Sequence, residues 1–168
     1  MPVYETAIRL ADSRPYYTND KSATSVRFAL TREFEAALVQ FDGNDVSDIE
    51  GIFDLLGRAE AIAELSRFSK SAALQIQRDI AVALVAHDQL EYEPLAIPWL
   101  MDASAPAWKR QNAASALGEH GTERALPYLR QVASAPATSD DLKSLHVWAF
   151  EDCQRLECRL TQQRNRGD

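Results

Sequence analysis

Residues 78–85 read RDIAVALV, and residues 110–117, which lie 32 positions later, read RQNAASAL. At the same shift Phe68 aligns with Leu100, and Ile76 aligns with Trp108. A period of this length is typical of one pair of helices, which cannot bury its apolar face alone and must stack on a copy of itself. The repeat therefore predicts an all-α stack of about four helix pairs, and it favours binding over catalysis.

The composition indicates one soluble domain over residues 1–168, with only six glycines and with Ala-rich and Leu-rich segments that favour helix. No apolar run approaches the ~20 residues that cross a bilayer, so we expect no membrane partner. The N-terminus also lacks the basic and then apolar order of a signal peptide. Cys153 and Cys158 lie on one predicted helix, roughly 140° apart around its axis, which is too far for a disulfide. Reduced thiols predict a cytoplasmic protein.

Apolar spacing and helix punctuation divide the chain into helices. Residues 1–21 are predicted to be irregular, 22–41 to form an amphipathic helix, and 47–56 to form a short helix. The repeat is clearest over residues 59–156, with helices predicted at 59–68, 71–86, 94–103, 107–118, 122–133 and 140–160. Pro98 and Pro127 should bend their helices or delay the start. The polar residues 162–168 are predicted to fray.

One unit has a recognisable pattern, RxxAxxALGxxGxxxALPxL, from Arg110 to Leu129. It resembles the HEAT-like repeat of the phycobilisome-lyase type, which implies a right-handed superhelix, a HEAT- or armadillo-like solenoid. In this unit Ala113 and Ala116 should let neighbouring helices approach closely. Gly118 and Gly121 should supply the positive φ angles of a tight turn.

The resemblance implies several functions without choosing among them. Proteins of this type mostly hold other proteins, while some attach bilin chromophores to phycobiliproteins. Others are metal-dependent hydroxylases, and some bind DNA and excise alkylated bases. A phycobiliprotein lyase-like protein and a DNA-binding protein are therefore the alternatives to a protein-binding module.

The residue pattern argues against a metal enzyme. A hydroxylase of this type needs repeated histidine–glutamate pairs to hold iron, but His87 precedes Asp88, His120 follows Glu119, and His146 has no acidic neighbour. A histidine at a helix C-terminus is favoured by the helix dipole without any metal. No nucleophile elbow or phosphate-binding glycine loop occurs either. We therefore expect a non-enzymatic protein without metal or cofactor.

The charge balance argues against nucleic acid, because phosphate binding requires basic charge. The chain has 18 Lys and Arg against 25 Asp and Glu, for a net charge of −7. Arg78 and Arg110, which occupy equivalent repeat positions, are predicted to be structural and to pair with an acid or a turn carbonyl. Trp99, Trp108 and Trp148 each lie near an apolar stripe, which predicts core packing.

Two surfaces are candidates for binding a protein partner. The first is an acidic cluster in which Asp45, Asp48 and Asp54 lie among thirteen residues without Lys or Arg. Such a cluster is typical of a solvated turn, or of a docking patch for a basic partner. The second is a ladder of equivalent positions on the second helix of each pair, formed by Asp79, Gln111 and His146, with Asn112 beside it. The sequence thus predicts a module that binds a protein, for which the hypothesis is a basic partner sequestered as by an immunity protein or antitoxin.

Overall fold

The computed structural model describes residues 58–70, 72, 74–136 and 139–167. The chain divides into two compact units, Met1–Ile76 and Gln77–Asp168. The prediction of a single domain over residues 1–168 stays a prediction. The predicted irregular N-terminus and the predicted helices at 22–41 and 47–56 lie outside the described residues.

All regular structure in the described ranges is helical, as the repeat predicts, and these ranges contain no strand. The α-helices, in chain order, are α1 Arg58–Ser69, α2 Leu74–Ala86, α3 Glu93–Met101, α4 Ala107–His120, α5 Leu126–Ser134 and α6 Asp140–Arg166. Short 3₁₀ turns, Leu90–Tyr92 and Glu123–Ala125, lead into α3 and α5. The all-α prediction is therefore confirmed for this part of the chain.

Proline and hydroxyl side chains set where helices begin. Pro127 delays α5, which starts at Leu126 after a 3₁₀ turn rather than at Thr122. Thr122 caps that turn through its hydroxyl, which accepts a hydrogen bond from the Arg124 amide at 3.3 Å. Pro98, by contrast, lies inside α3.

The C-terminal prediction was wrong, because residues 162–166 continue α6 instead of fraying. Two arginines tie this end of the helix to the turn before α5. Arg159 donates to the Gly121 carbonyl, and Arg164 Nη2 lies 2.8 Å from Glu123 Oε1. Gly167 then ends the helix with a left-handed φ of 78°, a conformation that glycine adopts without a Cβ penalty.

The helices of the second unit pack around one apolar core. α3 contacts α4 and α5, and α6 contacts the same two helices. The core is formed by alanines and larger aliphatic side chains that are fully buried, including Ala113, Leu100, Leu117, Leu129, Leu145 and Leu156. This arrangement places α4 and α6 side by side.

Gly118 allows α4 and α6 to approach closely. An ideal Cβ at Gly118 would lie 2.5 Å from the Asp152 Cβ and 2.9 Å from the Asp152 Cα. The prediction that Gly118 and Gly121 adopt positive φ was wrong, because Gly118 is helical and Gly121 is extended, with φ −61° and ψ 171°. The space that a side chain would occupy, not the backbone angle, requires glycine at position 118.

Gly118→Ala is expected to destabilise the protein by about 1–3 kcal/mol, the usual cost of overpacking. Helix propensity alone predicts the opposite sign, a gain of roughly 0.5–1 kcal/mol. Chemical denaturation would measure the change. Ser115→Ala on the same helix fills no new space and should cost less, and a stabilised Gly118→Ala variant would contradict the close approach.

Candidate functional site

Asp79 was expected on an exposed ladder, but the structure buries it, with 4% of its surface exposed. Its Oδ1 accepts a hydrogen bond from the Trp99 indole at 2.7 Å, and its Oδ2 lies 2.9 Å from Lys109 Nζ. The carboxylate therefore joins α2 to α3 and α4. Because both of its oxygens have partners inside the fold, Asp79 does not present a contact surface to another protein.

Two cations surround the buried indole. Lys109 Nζ lies 5.1 Å from the centroid of the Trp99 ring, and Arg78 Cζ lies 5.6 Å from it. Contacts of this kind stabilise a cation over an aromatic face. Asp102 completes the group by pairing with Arg78 Nη1 at 3.2 Å. We call these five residues, Arg78, Asp79, Trp99, Asp102 and Lys109, the Asp79 network.

Burial also changes the titration of Asp79. Desolvation raises its pKa above the ordinary value of 3.8, while the hydrogen bonds from Lys109 and Trp99 act in the opposite direction. Both oxygens of this carboxylate are bound by structural partners inside the fold. We therefore assign the network a structural role.

The two repeated arginines are structural, as the sequence predicts. Arg78 pairs with Asp102, and Arg110 Nε donates to the Leu100 carbonyl at 2.9 Å. Leu100 lies in the last turn of α3, where carbonyl groups lack helical partners. Both arginines thus connect the second helix of a pair to the end of α3.

The ladder is shifted by one residue in α6. The burial pattern of Lys109, Ala113, Ala116 and Leu117 repeats 36 positions later in Leu145, Ala149, Asp152 and Cys153. The predicted alignment of Gln111 with His146 instead used a shift of 35. The sequence of α6 matches the repeat motif only in part. Its alanines alone therefore do not determine how α6 aligns with α4.

With the shift of 36, His146 corresponds to Arg110, whose side chain turns toward the first helix of its pair. His146 also shares a helix face with Cys153 and Glu157, because these lie two and three turns further along. Glu157 pairs with Arg130 of α5 at 2.5 Å. At this shift His146 does not align with Gln111, and the binding role predicted for His146 stays a prediction.

At the shift of 36, Gln111 and Asn112 align with Val147 and Trp148. Trp148 is 50% exposed, so the prediction of core packing was wrong for this tryptophan. Trp99 is buried, with 4% of its surface exposed, which confirms the prediction of core packing for that residue. Gln111 and Asn112 are half-buried and remain accessible on α4.

Polar contacts align α4 with α6 along one surface. Ser115 Oγ lies 3.3 Å from Asp152 Oδ2, and Arg155 Nη1 lies 2.9 Å from Glu119 Oε1. One turn toward the start of each helix, the same surface presents Asn112 and Trp148. We call the surface formed by Gln111, Asn112, Glu119, Trp148 and Arg155 the α4–α6 surface.

The contacts of His120, Cys153 and Cys158 show the surroundings of these side chains. His120 Nδ1 lies 2.7 Å from Asp88 Oδ1, a contact across two turns that the sequence pattern did not indicate. Within the described ranges, no group of three His, Cys, Asp or Glu side chains is placed to hold a metal ion. Cys153 and Cys158 are free thiols, and burial raises the pKa of Cys153, which disfavours the reactive thiolate.

The acidic cluster with Asp45, Asp48 and Asp54 lies outside the described residues, and its role stays a prediction. Within the described part of the chain, no helix combines the length and the apolar character that a membrane span requires.

Asp79→Ala is expected to destabilise the protein by about 3–5 kcal/mol, because Lys109 would remain buried without its counter-ion. The double variant Asp79→Leu/Lys109→Met should be more stable than Asp79→Ala, since it removes both charges. Urea unfolding would measure both.

Asp102→Ala is the control for this prediction, because its ion pair with Arg78 is more exposed than the Asp79–Lys109 pair. It should cost much less than Asp79→Ala. Equal losses in the two single variants would show that the buried pair has no special role.

Asp152→Asn is expected to change how stability depends on pH. Desolvation raises the pKa of Asp152 above 3.8, so the folded chain binds this proton more tightly than the unfolded chain does. The Asp152 contribution to the free energy of unfolding should therefore fall as pH rises from about 3.8 through the raised pKa. Urea unfolding between pH 3.5 and 7 should show a wild-type stability that falls relative to Asp152→Asn.

Asp140→Asn removes the same charge from the same helix at a side chain that is 95% exposed. It should affect the pH dependence less than Asp152→Asn does. A difference between wild type and Asp152→Asn that rises with pH would reverse the sign and contradict the assignment.

Comparisons of the chain with protein-family models, with curated proteins and with solved structures found no match.

Proposed function

We propose that this chain is a non-enzymatic protein-binding module, built as a right-handed HEAT-like superhelix of about four helix pairs. The packing supports this architecture, because α3 pairs with α4 and α5 pairs with α6, while α3 contacts α5 and α4 contacts α6. Neighbouring pairs in a helical solenoid are arranged in this way, first helix on first helix and second on second. The 32-residue sequence repeat supports it independently.

The exposed Trp148 is the observation that supports binding most directly. Tryptophan is enriched among the residues that dominate protein–protein affinity, where its large ring is buried against a partner. The α4–α6 surface also includes Gln111 and Asn112, half-buried amides that can donate and accept hydrogen bonds. A large apolar anchor beside neutral polar groups is typical of the centre of an interface.

The partner we propose is a basic protein, sequestered as by an immunity protein or antitoxin. The support is the net charge of −7, which attracts a cationic protein and accelerates its encounter. The acidic cluster with Asp45, Asp48 and Asp54 would strengthen that attraction. In this proposal the charge governs the association rate, and the α4–α6 surface makes the close contacts.

The two alternative functions have less support. A DNA-binding surface needs unpaired cations, but Arg78, Arg130, Arg155 and Arg164 all pair with carboxylates. For a phycobiliprotein lyase-like protein, the support is one good copy of the repeat motif. Absorption and fluorescence spectra of the chain mixed with a bilin would test that alternative.

Affinity capture with the full chain as bait tests the proposal, using extract of the native host and quantitative mass spectrometry. A specific partner should be retained by wild type, and Trp148→Ala should weaken its binding at least tenfold. Tyr128→Ala is the matched control, because Tyr128 is an aromatic residue that is 38% exposed on α5. It should leave the affinity nearly unchanged.

Binding kinetics with the captured partner then separate charge from contact. The triple variant with Asp45, Asp48 and Asp54 changed to Asn should slow association several-fold at low salt. Trp148→Ala should mainly speed dissociation. Equal affinities of wild type and Trp148→Ala would exclude the α4–α6 surface as the binding site.

A further inference from the structure

The outer side of α6, away from α4, has an apolar face that no described helix covers. Val147 is 56% exposed and Phe150 is 55% exposed. Lys143, Glu151 and Gln154 surround them and are exposed as well. We call these five residues the α6 end face.

The end face corresponds to a surface that is covered in the preceding repeats. At the shift of 36, Phe150 aligns with Ala114, and at the shift of 32 Ala114 aligns with Val82. Ala114 is fully buried and Val82 is 5% exposed, whereas Phe150 is not covered. On α6, therefore, the equivalent of the face with which α4 packs against α6 is exposed.

Gly118 and Ser115 of α4 confirm this correspondence. Ser115 is hydrogen-bonded to Asp152 of α6, and Gly118 closely approaches the same residue. At the shift of 36, Ser115 aligns with Glu151 of the end face, and Gly118 aligns with Gln154. The end face therefore has the position and the apolar character of a helix–helix contact. Exposed apolar surface of this kind marks an interaction site.

We propose that a second copy of this chain covers the end face, with the two α6 helices packed antiparallel about a two-fold axis at Val147. Lys143 lies four residues before Val147, and Glu151 lies four residues after it. An antiparallel pair crossing at Val147 places each Lys143 opposite Glu151 of the other copy. A two-fold interface requires this kind of self-complementarity.

The local charges favour a second copy over a strongly basic protein. Lys143 and Glu151 balance each other on the end face, although the whole chain has a net charge of −7. Lys143 Nζ also lies 2.8 Å from Asp140 Oδ1, but both side chains are largely exposed, and such a pair contributes little. Lys143 can therefore exchange this weak pair for Glu151 of a second copy. The proposal concerns a different surface from the α4–α6 surface.

Sedimentation velocity of the full chain at increasing concentration tests the proposal. One helix pair buries less than the roughly 800 Å² per partner of a standard interface, so we expect a dimer with a micromolar dissociation constant. Lys143→Glu places two acids opposite each other, and Glu151→Lys places two bases opposite each other. Each single variant should weaken the dimer at least tenfold.

Mixing the two single variants provides the decisive result. Lys143→Glu chains carry only acids at the two positions, and Glu151→Lys chains carry only bases, so a heterodimer should form from chains that do not dimerise alone. Circular dichroism would confirm that each variant is folded. Trp148 is unchanged in both variants, so failure here is distinguishable from failure of the α4–α6 surface.

A wild-type chain that stays monomeric at several hundred micromolar would overturn the proposal. So would a dimer that both single variants retain, because its contact would lie elsewhere. Absence of a heterodimer from the mixed variants, when wild type dimerises, would refute the antiparallel arrangement.

Discussion

The buried carboxylate of Asp79 is the contact on which the arrangement of α2, α3 and α4 depends. It accepts a hydrogen bond from the Trp99 indole at 2.7 Å and lies 2.9 Å from Lys109 Nζ. Removing any one member leaves a buried polar or charged group without its partner, which costs more than the net gain from forming the pair. The network therefore specifies which helices meet, while the surrounding aliphatic core provides most of the favourable free energy.

A second constraint acts between α4 and α6, where the helix backbones are close together. Gly118 leaves room for the Asp152 backbone, and Asp152 then reaches Ser115 and Arg155. This contact aligns the two helices in parallel and sets the register between α4 and α6. Trp148 is exposed as a consequence of that register, because it occupies the position of Asn112 and not that of a core residue.

The helices of the second unit present two candidate binding surfaces. One is the α4–α6 surface, where Gln111, Asn112 and Trp148 are accessible and where we propose that a protein partner binds. The other is the α6 end face, where Val147 and Phe150 are exposed and where we propose that a second copy of the chain packs. Exposed apolar surface of this size on a helix marks an interaction site.

The sequence by itself determined the helical class, the position of most helix ends and the structural role of Arg78 and Arg110. These follow from local physics, because apolar periodicity, proline and repeated motifs act over a few turns of one helix. Only the tertiary structure decided that Asp79 is buried and that Trp148 is exposed. Burial depends on which neighbour covers a helix face, and a shift of one residue rotates every side chain by 100°. An aspartate such as Asp79 is expected at the surface, and a tryptophan such as Trp148 is expected in the core. The structure shows the opposite for both residues, because burial is decided by the neighbours in the fold.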